Sequence, residues 1–185
     1  GAKRLNYVFI DTGAMYRSVA LKCMQSKIDP SSDAEATAAV ARECVIELKP
    51  HPSKTIVFLD GEEVSDDIRT PEVTRNVSAV AANADVRKVL VAKQQDMGKK
   101  GGVVMDGRDI GTVVFPSAEL KLFMNASNEA RAERRFAELK AKGENTTVEA
   151  VLADMLKRDE ADSSREASPL IQADDAVVID TTKHT

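Results

Sequence analysis

With 185 residues, 43% of them hydrophobic and 30% charged, the chain has the make-up of one soluble globular domain with at most a small appended lobe. Its net charge of −4 excludes a general nucleic-acid binder, which needs a broad basic surface, so a bound anion must be gripped by arginines concentrated locally. No run reaches the roughly 18 apolar residues that would cross a bilayer, and no signal-peptide pattern opens the chain. Cys23 and Cys44 form no metal-type pair, which fits small core residues in a reducing cytoplasm, and His51 and His184 read as surface residues.

In chain order, Gly1 to Leu5 reads as the tail of a helix that runs into a first strand, Tyr7 to Ile10. Asp11-Thr12-Gly13 then turns the chain into a helix over 13–26, whose amide end favours anions, with Arg17 one turn inside it. Ser32-Asp33-Ala34-Glu35 fits a capping box and opens a helix over 32–44. Val45 to Leu48, Thr55 to Leu59 and the Asp60-Gly61 turn predict a hairpin or small antiparallel sheet in an inserted lobe. Thr70-Pro71 starts a helix over 71–82, and another follows over 84–97; they carry Ser78 and Arg87, two side chains suited to a base edge.

The apolar run Val103 to Met105 ends in Asp106-Gly107-Arg108-Asp109, the most informative stretch of the chain. Parallel sheets bind ligands at the carboxyl ends of their strands, and an arginine there can hold a phosphate through two parallel hydrogen bonds. Leu120 to Met124 is the next strand. The helix over 127–142 then sets Arg131, Arg134 and Arg135 opposite Ala132, Phe136 and Leu139. Lys142 to Asn145 is a polar hinge suited to a moving lid. Thr146-Thr147-Val148-Glu149 caps a helix over 146–163, on which Arg158, Asp162 and Arg165 form one stripe at spacings of four and three. Ala176 to Ile179 is the last strand. The four strand runs outside the hairpin lack strict alternation and are separated by helices, the pattern of a buried parallel sheet.

Each candidate also has a plainer explanation. Arg17 could be a solvated arginine at an ordinary strand–helix junction, and Arg158-Asp162-Arg165 an exposed ladder worth a few tenths of a kcal/mol per pair. Arg131, Arg134 and Arg135 could pair with Glu129, Glu133 and Glu138, and Ser78 and Arg87 could be surface residues.

Four segments in order tip the balance: IDTGAMYR (10–17), DDIRTPEV (66–73), DGRDIGTVVFP (106–116) and RDEADSSREASPL (158–170). Together they resemble the bacterial cytidylate kinases, nucleoside monophosphate (NMP) kinases, over nearly the whole chain. The resemblance implies an α/β fold of P-loop NTPase type, with a parallel sheet flanked by helices. It implies a core of residues 1–26 and 101–185 with a helical lid at about 127–165, and an NMP-binding insertion with a small antiparallel sheet over 27–100. The implied reaction is ATP with CMP or dCMP to ADP with CDP or dCDP, with Mg2+ as cofactor.

By position, Thr12, Tyr16 and Arg17 resemble the elements that hold the acceptor phosphate, and Arg108, Arg158 and Arg165 those surrounding the acceptor and transferring phosphates. Ser78, Arg87 and Asp109 match the cytosine-reading trio, Asp162 the sugar contact, and Arg69 a residue that helps close the insertion. Arg131, Arg134 and Arg135 fall in the lid on the ATP side, and Asp106 resembles the carboxylate that holds Mg2+ through water.

Chemistry agrees with the cytosine assignment. Cytosine presents an exocyclic amino donor where uracil presents a carbonyl, and an ionised Asp109 can only accept. A mismatch leaves a buried polar group unpaired at about 1–3 kcal/mol, so CMP should be preferred to UMP. Phosphoryl transfer needs positioning and charge neutralisation, not a protein nucleophile.

One departure stands out. No G-x-x-x-x-G-K-S/T occurs, and Gly98 to Gly102 lacks the spacing and reads as a turn. The chain is therefore expected to be a segment lacking its phosphate loop and last helix, and on its own nearly inactive, since loss of a transition-state arginine alone can remove about 10³-fold. The alternatives are a non-catalytic nucleotide-binding module that kept the acceptor pocket, or a kinase for UMP or AMP. A cytoplasmic monomer with no nucleic-acid or membrane partner is expected.

Overall fold

The computed structural model describes residues 2–51 and 54–184; Gly1, the expected start of the opening helical turn, lies outside the described residues. Helix α1 (Ala2–Leu5) is a single turn that leads into strand β1 (Val8–Asp11). The Asp11 side chain accepts from the Ala14 amide and so starts helix α2 (Thr12–Gln25). One face of α2 buries Ala14, Met15, Val19, Ala20 and Cys23.

Helix α3 (Ala34–Glu43) begins later than the capping box predicts, because Asp33 and not Ser32 is the cap and accepts from the Ala36 amide. A carboxylate complements the positive end of the helix better than a hydroxyl does. Strands β2 (Ile46–Pro50) and β3 (Thr55–Leu59) pair antiparallel, with Ile46 opposite Leu59. Asp60 and Gly61 then turn with φ of 52° and 87°, the conformation a tight two-residue hairpin demands, and β4 (Glu62–Glu63) returns along β3. Thr70 caps helix α4 (Pro71–Ala82), and Asn83 caps helix α5 (Ala84–Gly98) by accepting from the Asp85 and Val86 amides. Residues from α2 to α5 and from the hairpin, among them Met15, Cys44, Val57, Ile68, Val80 and Leu90, form one hydrophobic cluster, so packing is continuous across residue 26. Both cysteines are buried in it as free thiols.

Strand β5 (Val103–Asp106) lies parallel to β1, with Asp11 opposite Asp106. After a wide π-type turn over Ile110–Val114 come β6 (Leu122–Asn125), helices α6 (Asn128–Ala141) and α7 (Val148–Ser164), and β7 (Val177–Asp180), which lies parallel to β6. The parallel direction agrees with the sequence pattern; the burial does not. Among the described residues β1–β5 and β6–β7 are separate two-stranded ladders, and Ile10 is the one buried residue in these four strands. Val8, Phe9, Leu122, Met124, Val177 and Val178 are exposed. An apolar run shows what a strand is able to bury, not what covers it.

Helices α6 and α7 pack as a pair, joined by an Arg131–Asp159 ion pair at 2.6 Å, and α7 also touches α4. The cap of α7 is Thr147, one residue past Thr146. No helix among the described residues is long and apolar enough to cross a membrane.

Candidate active site

The carboxyl ends of β1 and β5 meet the start of α2. There the Thr12 hydroxyl donates to the Asp106 carbonyl at 2.7 Å. Gly107 makes this approach possible, since a Cβ on it would stand 2.3 Å from Thr12 Oγ1. The turn thereby delivers Arg108 and Asp109 to the mouth of α2.

Asp109 is buried and accepts through Oδ2 from Arg87 Nη2 at 2.5 Å, a salt bridge whose two side chains are each 4% exposed. Charge-assisted bonds of this kind are the strong ones. Arg87 also donates to the Ala81 carbonyl at 2.9 Å, and its guanidinium lies over the Tyr16 ring, 5.0 Å from the centroid. Burial pushes the Tyr16 phenol up to about 12 against the opposing charge of Arg87, with Asp109 adding to the rise, so it stays protonated as a donor.

A second buried carboxylate, Asp162 on α7, is bracketed by Arg108 Nε at 3.1 Å and Arg165 Nη1 at 3.0 Å. Arg165 Nε donates to the Ser168 carbonyl at 2.7 Å. Its Nη2, buried, has no hydrogen-bond partner among the described residues, and nor has the Tyr16 hydroxyl. Both belong to a cleft of about 470 Å³, including space continuous with solvent. Thr12, Tyr16, Ser78, Arg87, Arg108, Asp109, Arg158, Asp162 and Arg165 line it, with Val77 and Ala81 as apolar wall. Nine residues singled out from four separate stretches of sequence thus share one cavity.

The other candidates stand around it. Arg17 donates to the Ile68 carbonyl at 3.0 Å and to Thr74 Oγ1 at 2.9 Å, which ties α2 to the start of α4. Burial, and then the charges of Arg158, Arg69 and Arg135, lower its guanidinium to about 10. Arginine stays protonated in proteins, so the lowering reflects burial together with neighbouring positive charge that an anion would relieve. Arg158 is lowered for the same reasons, burial first and Arg108 second. Arg69 pairs with Asp11 at 3.1 Å. Asp106 keeps contact with solvent, yet partial desolvation and then the charge of Asp11 raise its carboxyl.

The three arginines of α6 diverge. Arg135 pairs with Glu138 at 2.9 Å while adding its charge to the field at Arg17 and Arg158. Arg131 is held by Asp159. Arg134 donates to the carbonyls of Thr181 and His184, which fastens α6 to the end of β7. None of the three lines the cleft. The sequence reading passed over Asp11, a helix cap that also holds Arg69, and Gln94, buried behind Tyr16. The capping pattern at Asp11 and the place of Gln94 four residues after Leu90 on a buried helical stripe were the available signals.

With this geometry in place, comparison with known proteins finds a match to the cytidylate kinase family over residues 2–185. A cytidylate kinase from Lysinibacillus sphaericus (strain C3-41) is 51% identical over 181 residues, which is 98% of this chain and 80% of that protein. One from Enterococcus faecalis (strain ATCC 700802 / V583) is likewise 51% identical over 181 residues, with the same coverage. One from Limosilactobacillus reuteri (strain DSM 20016) is 50% identical over all 185 residues, or 81% of that relative.

Proposed function

The chain belongs to the cytidylate kinase family, and from that premise we propose that its cleft binds CMP or dCMP and presents the phosphate for transfer from ATP, giving CDP or dCDP and ADP. The observation that carries this reading is the buried Arg87–Asp109 pair beside the converging guanidinium groups of Arg108, Arg158 and Arg165. An acid that reads a base stands next to cations that grip a phosphate.

Asp109, paired with Arg87, accepts from the exocyclic amino group of cytosine. Uracil would turn a carbonyl toward the same carboxylate, and one of the two would stay unpaired. Ser78 supplies a hydroxyl to the same cleft, and Tyr16 backs the base site. Asp162, fixed from both sides by Arg108 and Arg165, is oriented to accept from a sugar hydroxyl. The acceptor phosphate sits among Arg17, Arg108, Arg158 and Arg165, whose mutual repulsion it relieves.

In the transfer, an acceptor phosphate oxygen bonds to the terminal phosphorus of ATP as the bond to the bridging oxygen breaks and ADP leaves. The protein's part is to align the oxygens and to offset developing charge. Helices α6 and α7 bring Arg135 toward the same field and serve as the lid.

The residues present fit Mg2+ as cofactor. Asp11 and Asp106 stand side by side at the ends of paired strands, and the charge of Asp11 helps to raise Asp106. No group of three or more His, Cys, Asp or Glu suited to a metal occurs among the described residues. Mg2+ is typically held by one or two carboxylates, water and nucleotide phosphates. Asp106 would hold it through water; when bound, the ion neutralises charge on the ATP phosphates.

The test is coupled ADP release from ATP with CMP, dCMP, UMP and AMP as acceptors. CMP and dCMP should outrun UMP and AMP. Equal turnover of all four would contradict the reading.

A further inference from the structure

Gln94 on α5 is fully buried, and neither amide atom has a hydrogen-bond partner among the described residues. Leaving an amide buried and unsatisfied is costly, so the position is not neutral filler. Helices α2 and α5 pack together, and Gln94 is a side-chain neighbour of the Tyr16 phenol. The phenol oxygen is itself buried and unpaired. The Tyr16 ring also carries the Arg87 guanidinium, which holds Asp109. Gln94 does not line the cleft.

We propose that Gln94 is a positioning residue for base recognition: it pins the Tyr16 phenol, and through the ring fixes the height at which Arg87 and Asp109 meet the pyrimidine. The inference rests on the pyrimidine reading above. A small rotation of either side chain joins two unpaired groups into a hydrogen bond, and a base pressing on Arg87 and Tyr16 favours that rotation. Freed of Gln94, the ring and the guanidinium would settle together into a looser range of positions, and discrimination between bases would suffer before affinity for phosphate did.

The test uses Gln94→Met, which keeps volume and removes the amide, Tyr16→Phe, and the double variant. Each is titrated calorimetrically with CMP and UMP, and its Tm is recorded. Gln94→Met should weaken CMP by about three- to tenfold, the range for one hydrogen bond, and leave UMP binding unchanged, so that the CMP/UMP ratio falls by the same factor. Its Tm should hold or rise, since an unsatisfied buried amide is gone. The double variant should lose no more than the worse single variant. A CMP/UMP ratio in Gln94→Met within about twofold of a discriminating wild type, or losses that multiply in the double variant, would overturn the inference alone. Gln94→Leu gives the same readout should Gln94→Met fail to fold. A wild-type chain that binds neither nucleotide overturns the functional reading and this inference with it.

Discussion

Asp109→Asn keeps the shape of the side chain and removes its charge. Asp109 is 3% exposed as a whole residue, and the bond from Arg87 spans 2.5 Å. Deleting one partner of a buried ion pair outright costs about 3–5 kcal/mol, because the other charge is stranded. The asparagine amide can still accept from Arg87, which exchanges a charge-assisted bond for a neutral one, so about 1.5–3 kcal/mol is expected. In a chain of this size each kcal/mol moves Tm by about 2–4 °C, so the loss should be about 3–12 °C. Binding should change in a second way. The amide can turn a donor toward uracil, so the preference for CMP over UMP should fall by about 5- to 150-fold, equivalent to 1–3 kcal/mol. Thermal unfolding and paired CMP and UMP titrations read the two effects separately. An Asp109→Asn protein with the wild-type CMP/UMP ratio would refute the assignment of Asp109 to base reading, whatever its Tm.

Three further substitutions probe the rest of the cleft. Gly107→Ala would drive a Cβ to 2.3 Å from Thr12 Oγ1 and 2.8 Å from Ile110 Cδ1; it should destabilise by about 1–3 kcal/mol in thermal unfolding and weaken CMP, and an unchanged Tm would contradict the close-approach argument. Arg158→Ala should cut CMP affinity by about 10- to 100-fold while leaving cytidine within about twofold; equal losses for both would remove Arg158 from the phosphate site. Asp106→Asn tests the raised carboxyl. A folded-state value above the ordinary 3.8 means that the folded chain holds its proton more tightly, so ionisation costs stability once pH rises through the raised value. The variant should therefore unfold at higher temperature than wild type at pH 7, and the gap should narrow as pH falls through the raised value toward 3.8. A gap that widens on acidification would reverse the sign and the explanation.

Much of the fold was legible because its signals are local. Thr70-Pro71 and Asp60-Gly61 each dictate a backbone conformation through their own chemistry, and the structure places a helix start and a hairpin turn there. Helix α3 and helix α7 start late because two adjacent residues could cap, and residue type alone does not choose between them. Strand burial was not legible, since Val8 and Leu122 are apolar whether or not anything covers them. At the site, the sequence nominated residues in four separate stretches, and their meeting in one cleft depends on pairings such as Arg108 with Asp162, 54 positions apart. Arg134 shows the limit: its partners lie at the end of β7, 47 and 50 positions away, and no helical spacing points to them. Gln94 was missed because a glutamine on the Val86–Leu90 stripe looks like an interruption until its neighbour Tyr16 is known.

The account stands on arginines from separate segments gripping the phosphate of one pyrimidine nucleotide. Its most direct test is calorimetric titration of the chain with CMP, UMP and cytidine at fixed salt. The account predicts a single saturable site, with CMP tighter than UMP by about fivefold or more and tighter than cytidine by more still. Binding of CMP no tighter than that of cytidine or UMP would contradict it.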